Sequence, residues 1–262
     1  MQTFHFEVFT TQCELQIDCD EQKAAFLANE IYSQSKRLEH TYSYFHVDSE
    51  LYKVNHRESE SLHVSDEFAG LITLSLFYSQ VTKGAFDVAF AGTLKESKAH
   101  LEYASCDCIA IDGNDLKFNN SYTKIDFGGI VKEYAVDHAI LFLKNSGITS
   151  ALVNFGGDLA AIGSYHGSKW CIGIEDPFDN RVAIDTVEID SNSLCTSGHT
   201  KRFKEIQGEK VSHIISNDKN DLLQISIVAP TTVDAGIWST ALLVNPELEP
   251  PEHVKLVKRV YN

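Results

Sequence analysis

Positive charge, proline and repetition are all scarce in this chain. Lys and Arg number 22 against 37 Asp and Glu, for a formal charge of −15. That deficit excludes a broad basic face of the kind that binds nucleic acid or anionic lipid, because such an acidic surface repels phosphate backbones. Five prolines in 262 residues, with no low-complexity tract and no internal repeat, leave no linker long enough to divide the chain. Residues 1–262 therefore read as one domain. No apolar run is long enough to cross a bilayer, which argues against membrane insertion. The opening MQTFHFEVFTTQCELQID alternates apolar and polar residues like a strand and shows neither a secretion signal nor a lipoprotein leader, so the expected location is cytoplasmic. The six cysteines, at 13, 19, 106, 108, 171 and 195, form no CxxC pair of metal-binding spacing. They read as reduced thiols, with Cys106 and Cys108 on one face of a strand.

A hydrophobic content of 43% supplies enough apolar surface for a sizeable core. Residues 22–40 read as an amphipathic helix with Phe26, Ile31 and Leu38 on its stripe, and residues 66–82 as a second, more buried one. A third is expected over 131–145, with Tyr134, Ala135, His138, Ala139, Phe142 and Leu143 on its inner face, and a last helix over 235–244. Strands are expected near 150–155, 159–164, 169–175, 185–190, 211–216 and 223–228. Runs of strands with few helices predict an α+β fold, antiparallel sheets covered by helices, rather than a doubly wound array.

The most informative stretch is DFGGIVKEYAVDHA, residues 126–139. It places an acid, two glycines and a lysine at a predicted strand-to-helix corner after YTKIDF. Glycines there let the backbone turn tightly and approach a ligand, and the amides and dipole of the following helix suit a phosphate. Read alone, the same pattern equally describes a glycine pair that solves a steric problem. An acidic protein that takes a phosphate ligand wants a screening cation, which favours a divalent metal.

Further segments follow in order: GAFDV (84–88), NFGGDLAAIG (154–163), WCIGIEDP (170–177), CTSGHTKRF (195–203), SHII (212–215) and AGIWSTALLV (235–244). With these in view, the sequence resembles the ApbE family, the FAD:protein FMN transferases, along nearly its whole length. Members typically read aspartate-leucine-glycine-glycine-isoleucine-alanine-lysine-glycine at the corner. They also carry glycine-alanine-phenylalanine-aspartate before it and asparagine-x-glycine-glycine-aspartate after it.

The resemblance implies an ApbE-like, T-fold-like domain. It further implies FAD as substrate, Mg²⁺ on its phosphates, and transfer of FMN to a Thr or Ser hydroxyl of an acceptor protein, with release of AMP. On that reading Lys132 is a charged donor to the phosphates, and His213 is the base or orienting group at the acceptor hydroxyl. Phe9, Phe45, Ala85, Phe86, Asp87, Asp126, Gly128 and Ile215 join Lys132 in binding FAD. The residues themselves leave alternatives open: Phe86 as ordinary core, Asp87 as a turn residue, Asp126 as a cap of the following turn, and Lys132 as a solvated helix lysine. Asn154, Gly156, Gly157 and Asp158 read as a second, buried glycine turn that is structural first.

Two departures bear on mechanism. Family members continue histidine-isoleucine-isoleucine with aspartate-proline, where this chain has Ser216-Asn217, and they hold the magnesium with an aspartate where this chain has Gly236. Asp234, Ser239, Thr240 and the Gly129 carbonyl remain as metal ligands, a set expected to bind Mg²⁺ more weakly than a full carboxylate site. Restoring an acid by Gly236→Asp is expected to raise activity if the lost ligand limits turnover. The alternative function is an FAD-binding protein of the same fold that transfers nothing.

Overall fold

A computed structural model describes residues 1–96, 98–179, 181–199, 203–206, 209–212 and 221–262. The elements run β1 (Gln2–Val8), β2 (Thr11–Ile17), α1 (Glu21–Thr41), α2 (Glu50–Asn55), β3 (Ser61–His63), α3 (Asp66–Val81), α4 (Val88–Glu96), β4 (Ile109–Asp112), β5 (Asp115–Phe118) and α5 (Val131–Asn145). There follow β6 (Ala151–Phe155), β7 (Asp158–Ile162), β8 (Trp170–Glu175), β9 (Ala183–Ile189), β10 (Ser193–Gly198), β11 (Phe203–Ile206), β12 (Glu209–Ser212), β13 (Leu222–Ala229), α6 (Thr232–Val244) and β14 (Lys255–Tyr261). These divide into two compact units, Met1–Lys36 with Lys132–Asn262, and Arg37–Val131.

The first unit is built on a seven-stranded antiparallel sheet in the order β1-β2-β6-β7-β10-β13-β14. Its central strands β6 and β7 are buried along almost their entire lengths, which is why ALVNF and DLAAI read as apolar runs rather than alternations. The turn joining them is Gly156-Gly157, both at positive φ (63° and 94°), the conformation a two-residue hairpin demands. A Cβ on Gly156 would also overlap Thr11 Oγ1, so this turn needs glycine on both counts. The two glycines are nevertheless exposed, not buried as the sequence suggests.

Helix α6 lies along β10 and β13, burying Ile237, Trp238, Ala241 and Leu242. The β8–β9 hairpin contributes Trp170 and Ile189 to a cluster with Leu152, Leu159 and Leu194. The second unit holds a three-stranded antiparallel sheet, β3-β5-β4, with α2, α3 and α4. Ser65 caps α3 by accepting from the Phe68 amide, while Asp66 and Glu67 place negative charge in its first turn. Antiparallel sheets covered by helices are what the sequence predicts.

Several local expectations are corrected. Phe26 is 62% exposed, and α1 instead buries Ala24, Leu27, Ala28, Ile31 and Leu38, a stripe rotated toward the small residues. In α5, His138 is exposed, and the inner face runs through Ala135, Val136, Ala139, Ile140 and Leu143. YTKIDF is not a strand. Its amides are satisfied individually, Lys124 N by Thr93 Oγ1, Ile125 N by Asn55 Oδ1 and Asp126 N by Val88 O. Cys106 and Cys108 lie in a single 3₁₀ turn capped by Ser105, not in a strand. All six cysteines are free thiols, as expected.

Candidate active site

In the second unit the glycine corner follows from a chain of local bonds. Gly128 and Gly129 have ordinary backbone angles, so they are not required by a left-handed turn. A Cβ at Gly129 would stand 3.4 Å from Phe86 Cε2, an ordinary contact distance, so packing does not demand glycine there. Phe86 is buried, while Ala85 before it is half-buried.

Asp87 acts as the N-cap of α4, its Oδ1 accepting from the amides of Ala89 (2.8 Å) and Phe90 (3.0 Å). Its Oδ2 accepts from the Cys106 amide at 2.9 Å. This carboxylate therefore has a complete local role, and burial followed by its charge pushes the Cys106 thiol up to about 12. Asp126 accepts from the Gly128 amide at 3.1 Å, the turn-capping geometry, and forms an ion pair with Lys95.

Lys95 was invisible to sequence reasoning because its motif is only an exposed-looking helix position. Its ammonium lies 4.7 Å from the Tyr44 ring centroid and 5.7 Å from that of Phe45, within cation–π range of both. Phe45 itself is exposed. The unit thus brings Phe45, Tyr44, Lys95 and Asp126 together, an exposed aromatic surface beside an ionic pair.

In the first unit, Lys132 stands in the first turn of α5 but is buried, only 5% exposed, which overturns the solvated-lysine alternative. Its ammonium pairs with Asp158 at the start of β7, donates to the Phe155 carbonyl at 3.3 Å and lies 3.8 Å from Glu133 Oε1. The β6–β7 turn therefore delivers a carboxylate and a carbonyl to one lysine. Phe9 sits beside it through a tilted ring contact with Phe155 at 6.5 Å. Phe9 and Thr10 both hold positive φ (53° and 56°), a conformation rare for such residues and costly enough to mark a constrained turn.

Helix α6 begins at Thr232, three residues earlier than the sequence suggests, because Thr231 caps it. Asp234 thus lies in the first helical turn, its carboxylate accepting from Thr231 Oγ1 at 2.9 Å while Thr231 accepts from the Asp234 amide. From α5, Asp137 accepts from the amides of Thr232 (2.7 Å) and Val233 (3.0 Å), and burial raises its pKa despite those bonds.

One turn on, Ser239 Oγ and Thr240 Oγ1 lie 2.8 and 3.2 Å from Ser197 Oγ, a knot of three hydroxyls. Ser197 belongs to the CTSGHTKRF segment marked in the sequence, but nothing in its β10 position signals that it faces α6. Gly236, where the resemblance leads one to look for a carboxylate, is enclosed by Glu133, whose Cγ would be 2.5 Å from a Cβ at that position. His213 and Ile215 lie outside the described residues.

Comparison with known proteins adds to this geometry. The FAD:protein FMN transferase of Klebsiella pneumoniae (strain 342) is 26% identical over 257 residues, covering 87% of this chain and 73% of that protein. The transferase of the same name from Escherichia coli (strain K12) is 26% identical over 273 residues, covering 92% and 76%. The crystal structure of the ApbE protein from Thermotoga maritima superposes with a TM-score of 0.82 at 24% identity, over 93% of this chain and 86% of that one. The flavinyl transferase ApbE of Pseudomonas stutzeri, in its apo form, gives 0.79 at 25% identity, over 93% and 84%. The ApbE family pattern matches residues 9–260, and the chain belongs to the ApbE family.

Proposed function

We propose that this protein transfers FMN from FAD to a Thr or Ser hydroxyl of an acceptor protein, with Mg²⁺ on the phosphates and AMP as the second product. The observation that carries this reading is the family match over residues 9–260, together with relatives from Klebsiella and Escherichia named FAD:protein FMN transferase. In the step proposed, the acceptor oxygen attacks the FMN phosphorus, the bond to the bridging pyrophosphate oxygen breaks, and AMP departs with that oxygen. The hydroxyl proton passes to a base, for which His213 is the candidate.

Lys132 contributes a fixed positive charge. Its burial beside Asp158 holds the ammonium in one orientation, and the dianionic pyrophosphate of FAD would compete with Asp158 for it. Phe9, Phe45, Ala85, Phe86, Asp87, Asp126 and Gly128 are proposed to contact the flavin nucleotide, with Phe45 offering the exposed ring. Mg²⁺, when bound, neutralises charge on the phosphates. Of the ligands expected from the sequence, Gly129, Asp234, Ser239 and Thr240, the hydroxyls of Ser239 and Thr240 suit it as hard oxygen donors, whereas the Asp234 carboxylate is taken up by the cap of α6. No helix among the described residues is long and apolar enough to cross a membrane.

The test is direct. Incubating the protein with FAD, Mg²⁺ and an acceptor carrying an Asp-Gly-x-Thr-Gly-Ala-Thr-like motif should leave flavin fluorescence on the acceptor after denaturing electrophoresis, with stoichiometric AMP. Tight FAD binding without label would show a binding protein instead, and no FAD binding would reduce the relationship to one of fold.

A further inference from the structure

Residue 236 carries no side chain, and the space above it is filled by a carboxylate from another helix. A Cβ at Gly236 would meet Glu133 Cγ at 2.5 Å, Cδ at 3.2 Å and Oε1 at 3.3 Å. Gly236 holds no left-handed angle and lies inside α6, where glycine is a poor helix former. Clearance for Glu133 is the physical reason for it.

Glu133 is itself anomalous. It is 93% buried, from a relative exposure of 7%, and its Oε2 has no hydrogen-bond partner among the described residues. Its Oε1 lies 3.8 Å from Lys132, which is engaged more closely by Asp158. A carboxylate oxygen left bare in the interior is strongly disfavoured unless something else binds it.

The surroundings indicate what that is. Gly236, Ser239 and Thr240 stand at i, i+3 and i+4 on α6 and therefore share a face. The Gly236 carbonyl accepts from Ser239 Oγ at 2.9 Å, and Ser239 and Thr240 converge on Ser197 Oγ. By overlying position 236, Glu133 brings its carboxylate to this same face. A carboxylate with one unpartnered oxygen, overlying a helix face that carries neutral hydroxyls, supplies hard-oxygen donors of the kind that fit Mg²⁺ or Mn²⁺. Asp234, by contrast, is already engaged in the cap of α6.

We propose that Glu133 is the carboxylate ligand of the divalent cation, held with the hydroxyls of α6 from the position that a side chain at 236 would have occupied. The identity of the cation as the one serving phosphoryl transfer rests on the proposed function.

Mn²⁺ binding to the full chain, read by electron paramagnetic resonance with Mg²⁺ as competitor, tests this without turnover. The wild type should bind Mn²⁺, and Glu133→Gln should bind it at least roughly ten-fold more weakly. Without metal the Gln variant should melt no lower than wild type, and Mg²⁺ should raise the melting temperature of wild type alone. Gly236→Asp by itself should not strengthen binding, because Glu133 occupies the space, whereas Glu133→Gly with Gly236→Asp should recover it from the other helix.

Unchanged Mn²⁺ affinity in Glu133→Gln, or no Mn²⁺ binding by wild type with FAD present, overturns the assignment. If Glu133→Gln does not fold, failure of the double variant to bind Mn²⁺ overturns it equally. FAD calorimetry without metal separates the two readings: loss of FAD binding alone removes the flavin function and leaves the cation site standing.

Discussion

Replacing Lys132 by Met should be among the most damaging single changes in the chain. The ammonium is buried with Asp158, itself only 8% exposed, and it also faces Glu133 Oε1 and the Phe155 carbonyl. Two unit charges 4 Å apart attract by about 4 kcal/mol at the effective dielectric typical of such sites. Removing the cation strands two buried carboxylates rather than one, and breaking a buried pair costs about 3–5 kcal/mol.

That loss is a large part of a total stability of about 5–15 kcal/mol. Asp158→Asn should cost less, about 1–3 kcal/mol, because Lys132 keeps Glu133 and a carbonyl. The double variant should be more stable than the sum of the singles implies, by about 0.5–3 kcal/mol. Urea unfolding followed by fluorescence of Trp170 and Trp238 measures all three. A loss below about 1 kcal/mol for Lys132→Met, the value of an exposed pair, would refute the reasoning.

Other expectations are independent of that pair. Asp137→Ala leaves the amides of Thr232 and Val233 without their acceptor and should cost about 1–3 kcal/mol per amide left buried, seen as a lower urea midpoint with an unchanged slope. Iodoacetamide at neutral pH should alkylate exposed Cys171 first and reach Cys106 and Cys195 only in denaturant, because burial pushes both of these thiols up; rapid modification of native Cys106, read by mass spectrometry, would contradict this. Burial lowers the His199 pKa below its ordinary 6.5. Between that depressed midpoint and 6.5 the unfolded chain binds more protons, so this residue's contribution is fully present above about 6.5 and is lost as pH falls through the folded value. An NMR titration showing a midpoint at or above 6.5 would remove the effect.

The helices expected over 131–145 and 66–82 were legible because the helical period of apolar residues marks them locally, and the hairpin at Gly156-Gly157 because few other residues tolerate two successive positive φ angles. Burial was less legible. Hydrophobicity alone favours burying the phenyl ring of Phe26, whereas the buried stripe of α1 takes Ala24, Leu27, Ala28 and Ile31. YTKIDF has the composition of a strand, but the Lys124 and Ile125 amides bond to side chains and the Asp126 amide to the Val88 carbonyl, contacts that no local pattern announces.

The amino-acid order by itself determined the family, the α+β class and the glycine corner with its lysine, since these are encoded in short motifs whose spacing survives divergence. Only the tertiary structure decided that Lys132 is buried against Asp158, that Asp87 and Asp234 cap helices, and that Glu133 fills the space over Gly236. Those outcomes depend on which side chains meet across separate helices and strands. Close packing fixes such meetings to within an ångström, and no local pattern in the chain records them.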